Sequence, residues 1–281
     1  MKPNIVVLTD FSPAAEQART YAAALAAPLG AELHLIHVFF PPTPTTRVGM
    51  VLRATNERYV RETRHNLEQV AAQLPVPATA ELIETNWDEA VQQALEKYNP
   101  LLLVAGLTAT DGPFDEWLSN RTLPLARQTG YPLLLVPEHL SAETLCPPRR
   151  LALAVEDWPF TLAPNATAIA PLLDALGTTV ITVSVLPAAE WAGAAKALRA
   201  TQQCGLSAAM PRGELHKVFS EVPAAGIQQA VTEVGADMLA LLDPGHDWVH
   251  RLFEGSVIEQ VLRQTRVPVL LLSAQVAAPE D

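Results

Sequence analysis

The chain has 281 residues, and its 30 acidic residues outnumber its 19 basic ones to give a formal net charge of −11. The excess acidity is spread along the chain without an acidic tail, which argues for solubility and against nucleic acid or an anionic membrane as partner. With 49% hydrophobic and 17% charged residues, there is apolar material for two cores of about 140 residues each.

Cys146 and Cys204 form no CxxC and match no zinc-ribbon spacing, which fits a reducing compartment. No apolar stretch approaches the roughly 20 residues needed to span a bilayer. The opening run through Leu8, closed by Asp10, is too short for the apolar part of a signal peptide. A cytoplasmic protein is expected.

Short apolar runs alternate with longer segments of helical period, the pattern of a parallel sheet covered on both faces. In the first half, strands are predicted over 5–8, 33–38, 80–83, 101–105 and 133–136, with helical segments between them. The first helix starts with Ser12 as cap and Pro13 at its first position. Ala14, Ala18, Tyr21, Ala22 and Leu25 recur on one face, and Gly30 stops it. Residues 41–49, rich in proline and threonine, predict a long exposed connection before a polar helix over about 51–74.

After Glu138 the periodicity breaks around Cys146, Pro147, Pro148, Arg149 and Arg150. The division expected is a first domain at 1–140, a linker at 141–150 and a second domain at 151–275. Second-half strands are predicted over 151–155, 179–185, 215–219, 238–242 and 269–272, with about eight frayed residues at the end.

Landmarks recur at constant spacing, as duplication requires. Asp10 and Asp157, Gly30 and Gly177, and Val38 and Val185 are each 147 residues apart. Gly106 and Leu242, Ser119 and Gly255, and Pro132 and Pro268 are each 136 apart. Pro171 falls inside the expected first helix of the second half, where an interior proline costs about 3 kcal/mol, so a late start or a kink is expected.

The run IVVLTDFSPAAEQARTYAAALAAPLGAELHLIHVF from Ile5, and GSVIEQVLRQTRVPVLLL from Gly255, are similar to the opening and close of the universal stress protein family, in tandem. The resemblance implies two Rossmann-like α/β domains of the adenine nucleotide alpha hydrolase-like type, each a five-stranded parallel sheet flanked by helices. It also implies a phosphate cradle spelled G, two residues, G, nine residues, G, then S or T. An early aspartate and a residue after the second strand hold the nucleoside.

On this sequence the nucleoside positions are Asp10 and Val38 in the first half, Asp157 and Val185 in the second. The first cradle reads Gly106, Ala109, Ser119 and Asn120; the second reads Leu242, Gly245, Gly255 and Ser256. Glycine lets backbone N–H groups approach an anion, and a helix N-terminus adds partial positive charge. Both cradles therefore read as degenerate. Asp111, Asp115 and Glu116 in one loop, and Asp243, Asp247 and Glu254 in the other, oppose a polyphosphate, which would need Mg²⁺ or Arg121, His246 or Arg251.

ATP or AMP with Mg²⁺ are the candidate ligands; no cofactor, metal ligand or catalytic residue is assigned. His246 to His250 spell HDxxH, but Pro244 and Gly245 make the segment a loop and no third ligand is evident. His34 and His37 point to opposite faces of the second strand and read as packed or hydrogen-bonded. The five tryptophans are scattered and read as packing or rim residues.

The last strand of each half would be a sheet edge, which invites a partner. The resemblance implies dimerisation there, so the halves could pair as an internal pseudo-dimer, with a homodimer also open. The function expected is a non-enzymatic stress-response protein acting through an unnamed protein partner. The alternatives are an adenine-nucleotide sensor with one working pocket and an ATP-cleaving or nucleotidyl-transferring enzyme.

Overall fold

A computed structural model describes residues 2–40, 49–108, 125, 128–141, 144–156, 160–186, 201, 206, 215–243 and 257–276, with backbone alone over 49–55. The first half contains β1 (Asn4–Leu8), α1 (Pro13–Leu29), β2 (Glu32–Val38), α2 (Gly49–Ala72), β3 (Ala78–Ile83), α3 (Trp87–Tyr98), β4 (Leu102–Leu107) and β5 (Leu133–Pro137). The second contains β6 (Arg150–Val155), β7 (Phe160–Leu162), α4 (Ile169–Leu176), β8 (Thr179–Leu186), β9 (Leu215–Phe219), α5 (Pro223–Val234), β10 (Met238–Asp243), α6 (Val257–Gln264) and β11 (Val269–Val276).

Ten strands form one continuous path, β3-β2-β1-β4-β5-β11-β10-β6-β8-β9, and β7 joins β11 off that path. The order to the right of the centre mirrors the order to the left. Along this path pairing is parallel within each half, for example Ile5 with Leu33 and Leu102, and Leu151 with Val180 and Met238. The seam is antiparallel, with Leu134 opposite Leu270. The last strands of the two halves, edges within their own halves, are thus the centre of the molecule.

Burial on both faces explains why these strands read as unbroken apolar runs. The two halves share their hydrophobic layers across the seam. One hydrophobic layer runs from Ile5, Val7 and Leu25 through Leu134 to Leu151, Leu172 and Leu270. The opposite layer runs from Val6 and Leu103 through Leu135 to Ala152, Leu239 and Leu271. Once the seam joins the sheets, each face becomes one surface that helices from both halves cover.

Local chemistry fixes α1. Ser12 Oγ accepts the N–H of Ala15 at 3.1 Å, Pro13 opens the helix, and Gly30 closes it at φ 60°, a left-handed conformation that glycine adopts without strain. Ala14, Ala18, Tyr21, Ala22 and Leu25 are buried. The linker is tied down as well: Asp237 Oδ2 accepts the N–H groups of Arg149 and Arg150 at 2.8 and 3.0 Å.

The counterpart of α1 is shorter. The offset of 147 places its start at Phe160, yet α4 begins at Ile169 and ends at Leu176, matching Leu29. A short 3₁₀ turn, Ala166–Ala168, precedes it, and Pro171 falls in the first turn, where its missing N–H costs no helical hydrogen bond. The vacated residues become β7, pairing antiparallel with the end of β11 through Thr161 and Gln275. This also corrects the expected frayed end: β11 continues to Val276, and 277–281 lie outside the described residues.

Candidate functional site

The carboxyl ends of β1, β2 and β4 open into a cleft of about 400 Å³ in the first half. It is lined by Leu8, Thr9, Asp10, Ser12, His37 and Val38 around the first two strand ends, by Gly106 and Thr108 at the end of β4, and by Asn86 and Trp87 at the start of α3. An open parallel sheet binds ligands at this place, beside the point where strand order reverses. The volume suits a small organic ligand.

Of the residues singled out in the first half, Asp10, Val38 and Gly106 meet in this cleft; Ala109, Ser119 and Asn120 lie outside the described residues. In the second half Val185 is the next-to-last residue of β8, whereas Asp157, Gly245, Gly255 and Ser256 lie outside the described residues, as does the HDxxH segment.

The turn that carries Asp10 is tight. Asp10 Oδ1 accepts the N–H of Ser12 at 2.9 Å, and Phe11 sits between them at φ 64°, which a bulky residue rarely adopts. Strain of this kind, about 1 kcal/mol or more, collects at ligand clamps. The Phe11 ring rests 5.2 Å from the His37 ring. His37 Nδ1 in turn lies 2.8 Å from the carbonyl oxygen of Thr9, tying β2 to the strand end that bears Asp10.

Gly106 has a packing reason for being glycine. A Cβ there would stand 2.4 Å from the Ala14 carbonyl carbon, 2.6 Å from its oxygen and 2.7 Å from the Ala15 nitrogen. The first turn of α1 therefore lies directly on the end of β4. In the second half that turn is absent, because α4 starts nine residues later than its counterpart, and Leu242 occupies the position equivalent to Gly106. The late helix and the large residue are two sides of one change.

The second half also differs at the start of its third helix. Asn86 caps α3 by accepting the Glu89 N–H at 3.0 Å, while Val222 at the matching place supplies no side-chain cap to α5. Next in that helix, Gly226 approaches β8 so closely that a Cβ would be 2.4 Å from Val185 Cγ1. The space that Asn86 and Trp87 border in the first half is thus approached by α5 itself in the second.

Sequence reasoning missed Asn86, Trp87, Phe40 and the cleft-facing role of His37. A signal for the first two was present: Asn86 followed by Glu89 marks a helix start immediately after a strand. Among the described residues, no group of three or more His, Cys, Asp or Glu gathers to hold a metal, and no helix is long and apolar enough to cross a membrane.

Fold and cleft together define a tandem, mostly parallel α/β protein with an open cleft at the carboxyl edge of its sheet. The model of the Universal stress protein family matches residues 1–137 and 166–273, and the chain belongs to that family.

The fold recurs in a universal stress protein from Archaeoglobus fulgidus DSM 4304, at 16% identity and TM-score 0.64, covering 97% of this chain and 99% of that one. A functionally unknown protein from Pseudomonas aeruginosa PAO1 is similar at 14% identity and TM-score 0.52, over 96% and 92% of the two chains. The cytoplasmic domain of a prokaryotic cation chloride cotransporter matches at 14% identity and TM-score 0.52, over 97% and 95%. These likenesses are of fold. No curated protein matches the sequence significantly.

Proposed function

We propose that this stress-response protein acts in the cytoplasm without catalysis, by binding one small nucleoside-like ligand in the first-half cleft and relaying that state to a protein partner. The second half serves as scaffold. The observation that carries this reading is the inequality of the two halves at their strand ends. The first keeps an α1 turn, a capped α3 and a cleft of about 400 Å³, whereas the second has lost that turn to β7, carries Leu242 at the position of Gly106 and has no side-chain cap on α5.

A triphosphate with Mg²⁺ fits poorly. The described lining offers one carboxylate, Asp10, already holding the Ser12 N–H, and contains no lysine or arginine. The sequence after Thr108 carries Asp111, Asp115 and Glu116 before its first cation, Arg121. A neutral nucleoside, or a nucleotide whose phosphate stays in solvent, suits the charge better. The enzyme reading is the weaker one, since Ser12 Oγ caps α1 through the Ala15 N–H and one oxygen of Asp10 holds the Ser12 N–H.

Native mass spectrometry and titration calorimetry with adenosine, AMP and ATP, with and without Mg²⁺, test the proposal. One equivalent per chain is expected, with adenosine and AMP bound at least as well as ATP and binding weakened in Asp10→Ala. Two equivalents per chain, or Mg²⁺-dependent ATP binding insensitive to Asp10→Ala, would sink it. ATP-dependent phosphate release lost in Asp10→Ala or Asp157→Ala would favour the enzyme instead. A concentration-dependent mass in solution would add a homodimer.

A further inference from the structure

We propose that His37 sets the ligand preference of the first-half cleft by presenting an unprotonated ring nitrogen, so that the ligand must offer an N–H or O–H donor to it. It rests on the cleft being the ligand site, and adds what the ligand must carry. The proton position follows from one contact. His37 Nδ1 lies 2.8 Å from the Thr9 carbonyl oxygen, and a carbonyl oxygen only accepts, so Nδ1 carries the hydrogen. In the neutral ring the remaining nitrogen, Nε2, then holds a lone pair.

The ring is well fixed. His37 is 7% exposed, Phe11 rests against it, and the Thr9 peptide is held by its own N–H on the Ile36 carbonyl at 2.9 Å. Nε2 makes no hydrogen bond to a described residue, and His37 lines the cleft. His34, three residues earlier on the opposite face, provides the contrast: its Nε2 is sealed from solvent without a partner, and its ring stacks on Tyr98 at 3.9 Å. Of the two histidines, only His37 is placed to meet a ligand.

A second acceptor stands beside it, because Asp10 uses one carboxylate oxygen on Ser12 and has another to offer. Two acceptors thus face a cleft whose apolar walls include Leu8, Val38, Phe40 and Trp87. The complementary ligand is a flat, weakly charged body edged with donors, as an aminopurine nucleoside is through its exocyclic amine and ribose hydroxyls. Removing the donor that faces Nε2 leaves a buried acceptor without a partner, a loss of about tenfold to a hundredfold in affinity.

The test is a cycle of protein variants and ligand analogues, read by calorimetry. Wild type, His37→Leu and His37→Gln are titrated with adenosine, purine riboside (which lacks the amine), 2′-deoxyadenosine and 3′-deoxyadenosine. One analogue is expected to lose at least tenfold against adenosine on wild type and nothing on His37→Leu. His37→Gln, whose amide oxygen can accept, keeps part of the discrimination. Equal losses on wild type and His37→Leu, or unchanged adenosine affinity in His37→Leu, overturn the role of His37 and leave the cleft as ligand site. Failure of wild type to bind adenosine overturns both.

A measurement on the unmutated chain guards against misfolded variants. Long-range proton–nitrogen correlation at alkaline pH, with His37 assigned by its absence from His37→Gln, should show the Nδ1–H tautomer in the free protein and a shielded Nε2 on adding adenosine. An Nε2–H tautomer in the free protein overturns the proposal.

Discussion

Replacing Gly106 by alanine tests the link between α1 and the cleft. The added methyl carbon would meet three backbone atoms at 2.4, 2.6 and 2.7 Å, whereas carbon atoms in contact normally stand about 3.5 to 4.0 Å apart. No rotamer relieves the overlap, because every atom struck is main chain in the first turn of α1. The helix must move by roughly 1 Å, disturbing the packing of Ala14, Ala15 and Ala18, all nearly inaccessible to solvent. Overpacking of this kind costs about 2 to 3 kcal/mol, a fall of about 4 to 12 °C in Tm for a chain of this size. Urea unfolding should show a lower midpoint at unchanged slope. Ligand affinity should drop too, since the displaced turn follows directly from Asp10 and Ser12. A change below about 0.5 kcal/mol, with affinity intact, would refute the reasoning.

Phe160→Ala should destabilise by about 3 kcal/mol or more, because Phe160 is 2% exposed and anchors β7; urea midpoints measure it. Asp237→Ala should cost about 1 kcal/mol through the loss of its two backbone partners at Arg149 and Arg150, again in urea. Stability should also fall as pH drops below about 6.5. Burial holds the His34 pKa below its ordinary value, so the unfolded chain takes up the proton first and stability is complete only above the unfolded pKa. At lower pH Glu81 adds to the fall in the same sense. Burial raises its pKa, but the hydrogen bonds from Lys97 and Tyr98 together outweigh that and hold it down. A pH series of urea midpoints on wild type and His34→Gln checks this: the variant should lose the portion near pH 6, and identical profiles would refute it.

The ten principal strands were legible because strands buried on both faces are written as uninterrupted apolar runs, and their ends moved by at most a few residues. β7 was not, because three residues within WPFTLAP carry no period; their strand conformation comes from the end of β11, a tertiary partner. Pro171 announced a late helix without saying what would fill the gap. In the cleft, Asp10, Val38 and Gly106 could be found by family resemblance, but the packing reason for Gly106 exists only once α1 lies on β4. Face alternation correctly separated His34 from His37, yet a face does not say how far along the strand a residue sits. His37, next to the last residue of β2, reaches the open end of the sheet, and His34 does not.

The antiparallel seam between β5 and β11 has a genetic implication. When two identical subunits meet along such a strand, every substitution strikes both of them at once. Joining them in one polypeptide lets a change such as leucine at 242 accumulate on one side alone while the partner surface is still supplied, always in equal ratio and at no cost of encounter. Unequal strand ends are therefore a freedom that covalent fusion grants and that a symmetric pair of chains lacks.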